Sequence, residues 1–195
     1  SLVGSEMCIR DRNRLIQGDV GSGKTAVAAA LMYISAGNGF QSALMAPTEL
    51  LAEQHFKTLC KITENSGIKC ALLTGALTKK QKDEVKTGLK SGEIKVAVGT
   101  HALLTDDVEF ESLGLVVTDE QHRFGVGQRG RLSSKGNNPH TLVMSATPIP
   151  RTLGLIIYGD LDISIIDEYP AGRQKIATYC VDSSYNARVY NYIKK

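Results

Sequence analysis

Short, continuous apolar runs recur along the chain, and longer segments with helical spacing lie between them. Asn13–Gln17 is the first such run and closes on Gly18. Thr25–Ala36, rich in Ala, Leu and Met, reads as a helix, and Ser42–Ala46 as a second buried strand. Pro47-Thr48 opens a helix in which Leu51, Phe56, Leu59 and Ile62 recur at helical spacing. Lys69–Leu73 gives a third strand, closed by Thr74-Gly75. Thr78 and Gln81 have the spacing of a capping box ahead of a charged helix ending near Gly92. Ile94–Val98, Leu115–Thr118, Thr141–Met144 and Asp162–Asp167 complete the strand-like set. Unbroken Val/Ile/Leu runs separated by helices predict an α/β fold, a mostly parallel sheet covered by helices on both faces.

Bulk properties narrow the function classes only a little. A chain of 195 residues fits one domain with a further fragment, and 42% hydrophobic residues mark it as globular. No run approaches the roughly 20 apolar residues of a membrane span, so no membrane partner is expected. A net charge of +3 is too small to argue for nucleic acid by itself. Cys8, Cys60, Cys70 and Cys180 lack the Cys-x₂₋₄-Cys spacing of zinc sites and suit a reducing cytoplasm. The leading stretch SLVGSEMCIRDR has no signal-peptide core and resembles translated sequencing-adaptor read-through. Residues 1–11 are therefore read as a non-native tag, with the natural protein expected to extend upstream.

Gly18-Asp19-Val20-Gly21-Ser22-Gly23-Lys24-Thr25 fits the phosphate-loop pattern G-x-x-x-x-G-K-[ST]. The residue types follow from the chemistry. Glycines let successive backbone N–H groups curl round an anion without a Cβ in the way. The helix that follows points its positive dipole end at the phosphates. Lys24 can reach the β- and γ-phosphates of ATP, and the Thr25 hydroxyl can hold Mg²⁺. The simpler reading is a glycine-rich turn before a helix, but an apolar run before and a helix after are the context the motif requires.

Leu113–Thr118 ends in Asp119 and Glu120. Ligands of parallel sheets gather at the carboxyl ends of strands, the edge to which the phosphate loop also belongs. Asp119 is thus expected to complete the Mg²⁺ site, directly or through water. Glu120 is expected to orient or deprotonate the attacking water. Lys24, Asp119 and Glu120 are the candidate catalytic residues. A lone pair of acids after a strand is commonly a solvated turn, a weaker reading in a chain that already carries a phosphate loop.

Asp119-Glu120-Gln121-His122 resembles the DExH box of superfamily 2 helicases and translocases. Ala46-Pro47-Thr48 through Gln54 resembles that superfamily's motif Ia, Thr74-Gly75 its motif Ib, and Ser145-Ala146-Thr147 its motif III, in the family's order. The closer resemblance, over about residues 13–182, is to RecG-type ATP-dependent DNA helicases. It rests on Leu15–Thr25, Val98–Leu103, Asp119–Val126, Ala146–Thr152 and Tyr158–Asp162. Gln17, Ser22 and Gln121 favour this type over the transcription-repair coupling translocase, whose motor shares many of these strings.

The resemblance implies a RecA-like lobe over residues 12–169, then a linker and the start of a second lobe over residues 170–195. It implies ATP and Mg²⁺ as cofactors and contact with the DNA backbone at Pro47, Thr48, Thr74, Gly75, Thr100 and His101. It also implies coupling of hydrolysis to motion through Ser145, Ala146 and Thr147. Each DNA assignment has a plainer competitor: Thr48 is also placed to cap a helix, and the other residues end strands. The lysines at 79, 80, 82, 86 and 90 alternate with acids and read as a solvated face. The implied whole enzyme remodels branched DNA in the bacterial cytoplasm, with a second lobe and an N-terminal wedge domain in cis. The second lobe's Gln-x-x-Gly-Arg-x-x-Arg motif is not met here, since Ile176 follows Gly172-Arg173 where it would need Arg. A regulatory module that binds nucleotide without turnover is the alternative of another class, and Glu120 argues against it.

Overall fold

The computed structural model describes residues 13–119, 131–147, 162–167, 180 and 182–193. Seven strands form one sheet: β1 (Asn13–Gly18), β2 (Gln41–Met45), β3 (Cys70–Leu73), β4 (Val96–Gly99), β5 (Leu113–Asp119), β6 (His140–Ser145) and β7 (Asp162–Ile166). Their order is β3-β4-β2-β5-β6-β1-β7, and every pairing is parallel. The α/β fold expected from the apolar runs is therefore present. Three helices connect the early strands: α1 (Lys24–Gly37), α2 (Glu49–Thr63) and α3 (Lys79–Lys90). A fourth, α4 (Asn186–Ile193), follows a short 3₁₀ turn at Ser183–Tyr185. The expected linker at Pro170-Ala171-Gly172 lies outside the described residues.

Side-chain alternation along the strands divides the core between two faces. On one face α1 and α2 contribute Ala28, Ala29, Met32, Ala52 and Leu59 against Ile16, Leu44, Val98, Val117 and Met144. On the other, Leu89 of α3, with Leu103, Leu104 and Leu132, packs on Ala43, Met45, Ala97 and Val116. Burial of strands on both faces explains why they read as unbroken apolar runs.

The capping box is present in full. The Thr78 hydroxyl accepts from Gln81 N, and Gln81 Oε1 accepts from Thr78 N at 3.0 Å. α2 departs from the expected stripe. Its buried residues are Ala52, His55, Leu59 and Thr63, whereas Ile62 is 48% exposed. Two polar residues sit on the inward face because each has a partner there: Thr63 Oγ1 donates to Leu59 O at 2.9 Å, and His55 reaches across to β5.

The lysines of α3 are also more engaged than a solvated face. Lys86 pairs with Asp107, Lys90 with Glu109 at 2.7 Å, and Lys82 Nζ donates to Gly75 O at 2.7 Å. Hydrogen bonds from Lys86 and then Thr105 hold the Asp107 carboxyl down at about 2. Cys60, near the end of α2, and Cys70, at the start of β3, lie side by side. Burial first, and then the neighbouring Cys70 thiol, pushes the Cys60 thiol up.

Candidate functional site

The sheet order makes β5, β6 and β1 neighbours, so their carboxyl ends form one half of an edge. Register fixes the alignment: Asp119 pairs with Met144, Met144 with Ile16, and Ser145 with Gln17. Asp119 therefore ends its strand two strand spacings, roughly 10 Å, from the strand that leads into the glycine loop. The other half of the edge is β2, β4 and β3, where Met45 and Leu73 both pair with Gly99.

The loop between β1 and α1 is shaped by its glycines. A Cβ on Gly18 would lie 2.6 Å from Ser22 Oγ and 3.1 Å from Ile166 Cβ, so a side chain there would collide with the loop and with β7. Gly21 and Gly23 have φ of 80° and 95°, the left-handed region that glycine enters without strain. Gly23 is the N-cap of α1, with no side-chain cap and no acid in the first turn. The N–H groups that begin a helix lack intrahelical acceptors, so this end is suited to an anionic ligand.

Lys24 folds back over the loop, its Nζ donating to Gly18 O at 2.7 Å and Asp19 O at 2.8 Å. Asp19 Oδ1 accepts from Val20 N at 2.7 Å, and the Val20 side chain stands 74% exposed at the tip. Thr25 is half-buried in the first turn of α1. Ser22 Oγ is buried without a hydrogen-bond partner among the described residues.

Asp119 closes β5 and is buried. One of its oxygens, Oδ2, lies 2.7 Å from His55 Nε2, with side-chain exposures of 10% for His55 and 13% for Asp119. Among the described residues no group of three or more His, Cys, Asp and Glu side chains could hold a metal. Mg²⁺ bound with a nucleotide is commonly held by one or two carboxylates, phosphates and several waters. Asp119, Thr25 and the loop are the residues that fit it. Glu120, Gln121 and His122, the rest of the acidic box, lie outside the described residues.

Ser145, at the end of β6, is buried, and its Oγ lies 3.0 Å from Thr147 Oγ1 and accepts from Thr147 N at 3.3 Å. Gln17, one residue before the loop, donates from Nε2 to Thr147 O at 3.0 Å. The Ser145-Ala146-Thr147 segment is thus tied directly to β1.

On the other half of the edge, Thr48 is the N-cap of α2 and its Oγ1 accepts from Leu51 N at 3.3 Å. Capping uses one acceptor site of the hydroxyl and leaves its O–H as a donor. Glu49 Oε1 accepts from Ala76 N at 3.1 Å, which ties the start of α2 to the Thr74-Gly75 turn. Gly75 is exposed whereas Thr74 is buried. Thr100 N donates to Leu73 O at 3.3 Å, and His101 begins a 3₁₀ helix, His101–Leu104. Pro47-Thr48, Gly75 and Thr100-His101 thus follow three adjacent strand ends.

Sequence reading missed His55, Gln17 as a bridge to Thr147, and Glu49. The spacing of Ala52, His55 and Leu59 would have put His55 on the inward face of α2, although not its partner.

Known proteins resemble this chain in sequence and in fold. Residues 5–156 match the DEAD/DEAH box helicase family. The chain is 52% identical over 183 residues to an ATP-dependent DNA helicase RecG of Bacillus subtilis (strain 168), covering 94% of this chain and 27% of that protein. It is 55% identical over 185 residues to the protein of the same name from Aquifex aeolicus (strain VF5), covering 94% and 23%. It also superposes with a TM-score of 0.79 on a structure of RecG bound to a three-way DNA junction, at 47% identity, covering 94% of this chain and 24% of that one. The chain spans about a quarter of the length of these relatives.

Proposed function

Because the chain belongs to the DEAD/DEAH box helicase family, we propose that it is the ATP-binding lobe of a RecG-type, ATP-dependent DNA helicase that acts on branched DNA. The observation that carries this reading is the convergence of the glycine loop and Asp119 on one half of a parallel sheet edge. The proposed lobe covers residues 12–169, and residues 170–195 hold a linker and the start of a second lobe. Fork remodelling, recombination and repair in the bacterial cytoplasm are the setting the reading implies. Among the described residues no helix is long and apolar enough to cross a membrane.

Gly18 through Gly23 would cradle the ATP phosphates with backbone N–H groups, and Lys24 would exchange its loop carbonyl partners for phosphate oxygens. Thr25 and Asp119 would hold Mg²⁺. When bound, that ion supplies charge neutralisation at the phosphates. Glu120 would position the attacking water and take its proton. Ser145 and Thr147, tied to β1 through Gln17, follow the strand that stands between Asp119's strand and the one leading into the glycine loop, and are assigned to coupling.

Pro47-Thr48, Thr74-Gly75 and Thr100-His101 would meet DNA phosphates through backbone N–H and hydroxyl donors, contacts that carry no sequence information. Binding of the chain to a three-way junction is therefore expected to change little with base sequence, and to weaken as salt rises wherever a cationic side chain also neutralises a phosphate. Each phosphate contact made by a cation would add about −0.9 to the slope of log affinity against log salt. Competition binding with junctions of different sequence checks this. A clear sequence preference would favour a site-specific DNA reader instead.

A further inference from the structure

α2 is docked on the sheet by apolar contacts that need no help from a polar pair. Ala52 and Leu59 belong to the same buried cluster as Leu115 and Val117 of β5. Between them on the helix, at the same inward face, stands His55. A buried imidazole facing a buried carboxylate is costly unless the two satisfy each other, and here they do, at 2.7 Å. The carboxylate concerned is the one at the strand end where the proposed nucleotide site lies. Among the described residues, His55 makes the one hydrogen bond to the Asp119 side chain.

We propose that His55 is a positioning residue for the Mg²⁺·nucleotide site. Its Nε2–H holds Oδ2 of Asp119, so that the carboxylate is fixed in rotation with its other oxygen available to the metal. A carboxylate oxygen that accepts from a fixed donor cannot rotate freely about its Cβ–Cγ bond. The entropy of locking that rotor is then removed before the metal arrives. Partners one step behind a metal ligand commonly change metal affinity or activity about 10–100-fold when they are removed. The inference rests on the nucleotide–metal reading of the edge, and His55 itself touches neither ligand in it. The donor also rides on the helix that opens with Pro47-Thr48, so it belongs to the element proposed to meet DNA.

The test separates metal-dependent from metal-independent nucleotide binding. The affinity of the chain for a fluorescent ADP analogue is measured with excess Mg²⁺ and again in EDTA, for wild type, His55→Ala and His55→Gln. Mn²⁺ binding to the nucleotide-loaded chain, followed by electron paramagnetic resonance, is the second readout. Wild type is expected to bind more tightly with Mg²⁺ than in EDTA. His55→Ala should lose about tenfold or more of the Mg²⁺-dependent affinity, with weaker Mn²⁺ binding and an unchanged EDTA value. His55→Gln places an amide N–H near the same point and should recover most of the loss.

Unchanged EDTA affinity also shows that the alanine variant is folded. If His55→Ala keeps the wild-type ratio of Mg²⁺ to EDTA affinity, or if His55→Gln does no better than alanine, the positioning role is overturned while the nucleotide site stands. If wild type shows no Mg²⁺ dependence, both the inference and the reading of the edge beneath it are overturned.

Discussion

Joining this chain to a second motor lobe is expected to raise ATP turnover by about 10³–10⁵-fold and to make it depend on DNA. The chain by itself should bind ATP and release phosphate close to background. Phosphoryl transfer is accelerated mainly by stabilising the charge on the transferring group, and an arginine supplied from a second element carries much of that effect. The described arginines of this chain are occupied elsewhere. Arg14, near the start of β1, pairs with Asp162 and lies about four strand residues from the glycine loop, roughly 13 Å. Arg131 donates to Asp106 Oδ1 at 3.2 Å, and Arg188 lies over the Tyr185 ring. Steady-state phosphate release, with and without a DNA junction, distinguishes the cases. Brisk DNA-stimulated turnover by the chain alone would contradict a two-lobe mechanism. Arg123, Arg129 and Arg151, which lie outside the described residues, would then be the first to mutate.

Replacing Glu120 with glutamine is expected to separate binding from turnover. The amide keeps the size and polarity of the side chain but cannot take a proton from water. General-base catalysis commonly contributes about 10²–10⁴ in rate, so turnover in the two-lobe protein should fall by that range. Mg²⁺-dependent ATP affinity should be retained, because phosphate and metal contacts are assigned to the loop, Lys24, Thr25 and Asp119. Rapid-quench measurement of a single turnover isolates the chemical step from product release. Wild-type rates in the Glu120→Gln protein would mean that this acid does not position water.

Local chemistry was legible in the sequence, and long-range pairing was not. The glycine loop announces itself because glycines, a lysine and a hydroxyl must occur at fixed spacing wherever a backbone wraps an anion. The parallel sheet was legible because strands buried on both faces cannot alternate. The capping box was legible because its hydrogen bonds span three residues.

Gln41 shows the opposite case. Read as preceding its strand, it is wholly buried at the start of β2, with Nε2 donating to Leu89 O at 2.8 Å and Ile94 O at 2.7 Å. Its Oε1 accepts from Ser112 N at 2.9 Å. None of these partners is near it in sequence, so nothing local marks it as buried. His55 was hidden for the same reason, and the lysines of α3 looked solvated because Asp107 and Glu109 lie on another segment. Strand order was equally out of reach, since it depends on which buried edges meet.

If the β1–α1 loop holds nucleotide phosphates, Lys24→Ala should weaken ATP binding. In the folded chain the Lys24 ammonium lies over the loop, against Gly18 O and Asp19 O, where a phosphate oxygen would replace one partner by a charge-assisted one. Hydrogen bonds to charged groups contribute about 1.5–3 kcal/mol, which corresponds to roughly 10–100-fold in affinity. An equilibrium titration of wild-type and Lys24→Ala chains with a fluorescent ATP analogue and Mg²⁺ should show a loss of that size in the variant. Equal affinity of the two chains would contradict phosphate binding at this loop.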